Sequence, residues 1–158
     1  MHYARSPSGL RQRCRLLLGT LALAALAALG GCGSEPFSFI PVSGKITYAD
    51  GSLIPGDRII VRLVPVQAQT VGKDTAGNAT GYVDPKDGTF PGVTTHKYLD
   101  GVVPGRYKVV IMATAVGPQG ERPTGAVPQA YQNAGTTPLE VEVTSSNRYF
   151  EWTIEKPR

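Results

Sequence analysis

The chain has 158 residues, a formal net charge of +4 and a hydrophobic fraction of 41%, enough for one ordinary domain with an appendage but not for two domains of average size. Its 19 Gly and 13 Pro interrupt long helices, so the composition excludes a helical bundle, a coiled coil and a multi-span membrane protein, while the apolar content is too high for a disordered chain. The charge, which would otherwise point to nucleic acid, is local: Arg5, Arg11, Arg13 and Arg15 precede residue 16, no acid precedes Glu35, and beyond residue 31 there are 12 basic against 12 acidic side chains.

Residues 16–29 (LLLGTLALAALAAL) follow the basic stretch without a single charge. As a helix of about 1.5 Å per residue this run measures roughly 21 Å, short of the ~30 Å hydrocarbon core, which is the form of a signal-peptide apolar segment and not of a spanning helix. Leu29-Gly30-Gly31-Cys32 then resembles the bacterial lipobox, in which the Cys thiol receives a diacylglycerol and two small residues admit the backbone to the peptidase. The resemblance implies cleavage between Gly31 and Cys32 and lipidation of Cys32; the alternative is an ordinary secretory signal with an incidental Cys. Cys14, the only other Cys, lies in the leader, so no disulfide is expected, and the odd thiol is consumed by lipid. Each buried methylene contributes about 0.8 kcal/mol, so the two or three acyl chains of such an anchor hold stably where one would not.

The expected organisation is a removed signal peptide over residues 1–31, the lipidated Cys32 and a tether over 32–41, and one domain over 42–156. The protein would sit on the exported side of a cell envelope, periplasmic or outer, attached to the bilayer through acylated Cys32. Phe37 and Phe39 in the tether are expected to pack on the domain's edge, with contact to the membrane interface as the alternative.

The domain reads as strands and turns. Residues 42–49 (VSGKITYA) alternate, placing Val42, Gly44, Ile46 and Tyr48 on one face. Residues 57–66 (DRIIVRLVPV) align Ile59, Val61 and Leu63, and 67–78 form a polar connection. Residues 79–84 and 89–95 predict a hairpin through Pro85-Lys86-Asp87-Gly88, where Gly supplies the positive φ. Residues 106–116 (RYKVVIMATAV) form the strongest strand, with Tyr107, Val109, Ile111, Ala113 and Ala115 facing inward at the centre of a sheet. After a long connection over 117–138, residues 139–144 and 148–155 predict a final hairpin that points Leu139, Val141 and Val143 inward with Phe150, Trp152 and Ile154. Seven strands without an amphipathic helix predict an all-β sandwich.

The order of these pieces, Val42-Ser43-Gly44-Lys45-Ile46-Thr47-Tyr48, Asp50-Gly51, Pro55-Gly56, Asp87-Gly88-Thr89-Phe90 and Val103-Pro104-Gly105-Arg106-Tyr107-Lys108-Val109, resembles the carboxypeptidase regulatory-like and transthyretin-like domains. The stretch Val127-Pro128-Gln129-Ala130-Tyr131 and the following strands are similar to small bacterial lipoproteins that carry such a domain. The resemblance implies a seven-stranded prealbumin-like or Ig-like β-sandwich serving as an accessory or adhesive module.

No catalytic residues are expected. His96 is the only His beyond the leader, and no Gly-x-Ser-x-Gly nucleophile elbow accompanies it. Asp84, Asp87 and Asp100 stand at turns in a spacing that suits turn formation better than calcium, and His and Cys are too few for zinc. No metal, cofactor or nucleic-acid partner is expected. Two readings of function follow: a non-catalytic envelope lipoprotein whose sandwich serves structural or protein-protein contacts, or a carbohydrate- or peptide-binding module with Tyr82, Tyr98 and Tyr131 as ligand contacts. The expected partners are the bilayer and an envelope protein or glycan.

Overall fold

A computed structural model describes residues 36–158; the signal peptide, the Gly31 to Cys32 cleavage point and the lipidation of Cys32 lie outside the described residues. The fold is nearly all-β. Its strands are β1 (Ser43–Tyr48), β2 (Arg58–Pro65), β3 (Thr70–Val71), β4 (Asp74–Thr75), β5 (Ala79–Val83), β6 (Thr89–Phe90), β7 (Gly105–Gly117), β8 (Gly120–Pro123), β9 (Glu140–Val143) and β10 (Tyr149–Ile154), with one 3₁₀ turn at Gln129–Gln132. Each of the seven expected segments carries a strand, and β3, β4 and β8 are additional. These three are two to four residues long and wholly exposed, so no apolar alternation marks them.

Three strands form one sheet in the order β10-β1-β6, and a five-stranded sheet runs β5-β2-β7-β8 with β9 also on β7. Side chains of both sheets, among them Ile46, Phe90, Trp152 and Ile154 from the first and Ile59, Leu63, Tyr107 and Ile111 from the second, belong to one buried cluster. This arrangement is consistent with a β-sandwich. The alternation in β1 is realised residue by residue, with Gly44, Ile46 and Tyr48 buried and the residues between them half-buried. Burying a Val, Ile, Leu or Phe side chain contributes about 1.5 to 3 kcal/mol, so the shared cluster is the main stabiliser.

β7 is the centre of its sheet, as expected. It pairs with β2 along one edge from Tyr107 to Thr114, while its other edge is shared between β9 near its start and β8 near its end. The gap between β9 and β8 is closed by the chain over 124–139: Thr124 N donates to Ala113 O (3.1 Å), Thr137 Oγ1 to Val109 O (2.7 Å) and Val109 N to Leu139 O (3.0 Å). The long connection expected over 117–138 thus carries β8 and, beyond it, a segment that braces the sheet. Ala115, expected inward, is exposed because β7 runs past the core there to pair with β8.

Neither expected hairpin forms as a two-stranded pair. β9 joins β7, whereas β10 lies parallel to β1 in the other sheet, from Ser43 opposite Tyr149 to Tyr48 opposite Ile154. The chain does reverse tightly, with Thr144 N bonded to Asn147 O (3.1 Å) and Asn147 N to Thr144 O (3.2 Å), but the strands then part to face each other across the core. Likewise the Asp84 to Thr89 turn closes with Gly88 at φ +78°, after which β6 joins β1 and β5 joins β2. The chain returns to β5 only at the bridge between Thr80 and Thr94.

The domain also begins earlier than residue 42. Phe37 is buried, Ile40 N bonds to Val102 O (2.7 Å) and Val102 N returns a bond to Ile40 O (3.0 Å), and the compact unit spans Pro36–Arg158. Phe37 packs on the domain's edge, as preferred from the sequence.

Candidate functional site

The three sequence-selected tyrosines do not form one surface. Tyr131, on the 3₁₀ turn, is 9% exposed, and its hydroxyl accepts the Glu155 amide (3.3 Å). Beside it, the Tyr48 hydroxyl of the opposite sheet donates to Ala126 O (2.7 Å). Tyr131 is therefore a packing residue that ties the 124–139 brace to the end of β10, and its expected role as a ligand contact is not supported. Sequence reasoning missed it because a Tyr in a Gly- and Pro-rich stretch gives no alternation from which to read burial.

Tyr82 and Tyr98 do come together. They are 61% and 86% exposed and line a groove of about 330 Å³ together with Gly81, Pro91, Gly92 and Leu99. The groove exists because the chain after β6 lies flat against β5: a Cβ on Gly81 would stand 2.7 Å from the Gly92 carbonyl oxygen, so a side chain there would push the returning segment away. One face of the Tyr82 ring is covered by the Arg58 guanidinium, 5.9 Å from the ring centroid, which in turn pairs with Glu121.

The 95–100 loop that carries Tyr98 is organised around Asp100. Its carboxylate accepts the amides of Thr95 (2.8 Å), His96 (2.9 Å) and Lys97 (2.8 Å), and the Thr95 hydroxyl donates to Gly101 O (2.6 Å). Partial burial works to raise the Asp100 pKa, but the three amides together outweigh it and hold the carboxyl below its ordinary value. A depressed folded-state pKa contributes stability that is fully present above the unfolded value of about 3.9 and is lost as pH falls through the folded one. The amide resonances of Thr95, His96 and Lys97 should therefore titrate together in an NMR pH series, with a midpoint below that of an unconstrained Asp. Asp100→Asn should abolish that titration.

His96 is exposed, and its ring lies 5.9 Å from that of Phe39. Asp84 accepts the Lys86 amide (2.9 Å), and Asp87 accepts both the amide (2.8 Å) and the hydroxyl (2.7 Å) of Thr89. These acids make turns, as their spacing predicts. Among the described residues, no group of three His, Cys, Asp or Glu side chains is placed to hold a metal ion, and no helix is long and apolar enough to cross a membrane. Compared with known protein families, curated proteins and solved structures, the chain matches none.

Proposed function

We propose that this chain is a lipid-anchored protein of the bacterial cell envelope whose β-domain has no chemistry of its own and serves structural or protein-protein contacts. The carrying observation is the series of basic stretch, uncharged run over 16–29 and Leu29-Gly30-Gly31-Cys32, in a chain with no other Cys beyond the leader. The finer fold is a prealbumin-like or Ig-like sandwich of the carboxypeptidase regulatory-like kind. Two sheets sharing one buried cluster and the turn-and-strand order from Val42 to Val109 support it. A carbohydrate- or peptide-binding module is the second reading; the exposed Tyr82 and Tyr98 favour it, and the burial of Tyr131 counts against it.

Processing provides the test. In cells fed a labelled fatty acid, the wild-type protein should take up label and fractionate with membranes at the mass of a chain beginning at Cys32. Cys32→Ala should remain unlabelled and accumulate as the longer precursor. Equal labelling of both proteins would overturn the lipoprotein reading. Crosslinking in intact envelopes then separates the two roles, since a protein contact and a glycan contact leave adducts of different chemistry.

A further inference from the structure

The next step rests on the proposed lipidation of Cys32. Only Gly33, Ser34 and Glu35 separate that residue from Pro36, where the compact unit starts; four Cα steps reach at most about 14 Å. Because Phe37 is buried and Ile40 is bridged to Val102, the next residues cannot pay out as slack. The corner at which the chain enters the domain is thus held near the headgroups, and its surface chemistry decides whether it floats there or docks.

That corner carries the aromatic surface of the domain. The three exposed tyrosines among the described residues are Tyr82, Tyr98 and Tyr149. Tyr82 and Tyr98 flank the groove already described, Tyr149 lines a second groove with Pro41 and Arg148, and Pro91 belongs to both. Phe39, on the entering chain, touches His96 on the Tyr98 loop. The loop is fixed: Leu99 is the only non-glycine residue with positive φ among the described residues, at +57°, and its amide donates to the Thr94 hydroxyl (3.0 Å). Tyr98 therefore projects from a braced loop, and the negative charge of Asp100 is engaged by three backbone amides. Aromatic rings with a polar tip are the side chains that settle at the headgroup level of a bilayer; Arg148 on the same rim is offset by Glu151, whose carboxylate accepts the Tyr149 hydroxyl (3.3 Å), so the rings and not a net charge carry the contact.

We infer that the domain docks on its own anchoring bilayer through this corner, with Tyr98 inserted at the interface and Tyr82, Tyr149 and Phe39 around it. The lipid surface is the occupant because the anchor already brings it within reach of these residues, whereas a soluble ligand would have to compete for the same rings.

The test uses the mature acylated protein reconstituted in phosphatidylethanolamine and phosphatidylglycerol vesicles that contain a headgroup spin-labelled lipid. With Cys32 acylated, an introduced Cys is the sole thiol. A fluorophore at Tyr98→Cys or Tyr149→Cys should be quenched by the spin label. The same fluorophore at Lys156→Cys should keep its brightness, because that exposed residue follows Ile154, at the opposite end of β10 from Tyr149. Tyr98→Asp should relieve the quenching at Tyr149→Cys while leaving the protein acylated. Acylated protein in which the Tyr98 and Lys156 probes respond alike would overturn the docking and leave the lipoprotein reading standing. Intact mass showing no lipid on Cys32 would overturn both.

Discussion

Replacing Trp152 with Ala is expected to cost about 3 to 5 kcal/mol, the range for deleting a buried aromatic ring, out of the ~5 to 15 kcal/mol that holds a domain of this size together. Trp152 is the only Trp of the chain and is 7% exposed. It sits on β10 opposite Ile46 of β1, with its ring stacked on Phe90 at 5.6 Å and on Phe150 at 5.5 Å, the planes within 7° and 6° of parallel. Phe90 belongs to β6 and Phe150 to β10, so this one ring links the two outer strands of the three-stranded sheet across β1. Its removal leaves both neighbouring rings without a partner and opens a void that backbone hydrogen bonds prevent from collapsing. Urea denaturation of the variant should show a midpoint far below that of the wild type. Wild-type emission should be blue-shifted and poorly quenched by iodide. A wild type that emits like indole in water, with a variant of unchanged midpoint, would mean that β10 is displaced by one residue.

The inward faces were legible because a period of two requires nothing beyond the segment itself. Val109 and Ile111 in β7, and Trp152 and Ile154 in β10, are buried where alternation places them. Partnership was not legible in the same way. Residues 139–155 read as a hairpin because two apolar-faced strands flank a short turn, yet the same pattern is satisfied when the strands face each other across a core. The choice depends on β1 and β7, which lie far away in sequence and offer edges to β10 and β9. The brace over 124–139 was hidden for a related reason. It is held through single hydrogen bonds such as Thr137 Oγ1 to Val109 O, not through a repeating pattern, and its buried Ala126, Val127 and Tyr131 have no period.

The candidate site divides along the same line. Tyr82 and Tyr98 were singled out from the sequence only as possible ligand contacts, with no face or loop to join them. Their meeting across a groove depends on the Thr80 to Thr94 bridge, a tertiary contact that returns the chain to β5 after β6 has left for the other sheet. Phe37 and Phe39 were separable only with the fold in hand: the first is buried, while the second is half-exposed beside His96.

The close approach at Gly44 predicts the second large effect. Gly44 lies on β1 between Phe90 of β6 and Phe150 of β10. A Cβ there would stand 2.0 Å from the Phe150 carbonyl oxygen and 2.9 Å from two atoms of the Phe90 ring. Neither neighbour yields easily, since the carbonyl is part of the β1 to β10 ladder and the Phe90 ring is stacked on Trp152. Gly44→Ala must therefore either separate β1 from β10 or break the aromatic stack, and its cost should reach or exceed the upper end of the ~1 to 3 kcal/mol usual for overpacking. Gly77 provides the contrast: nothing lies within 4 Å of the Cβ it would carry and its φ lies outside the positive region, so Gly77→Ala should be neutral or stabilising by up to about 1 kcal/mol through the unfolded chain. Thermal melts of the two variants should thus move in opposite directions or differ by the whole overpacking cost. Phe90→Leu combined with Gly44→Ala should recover little, because the nearer clash is with the backbone oxygen; substantial recovery would identify the ring, and not the parallel ladder, as what excludes a side chain at this position.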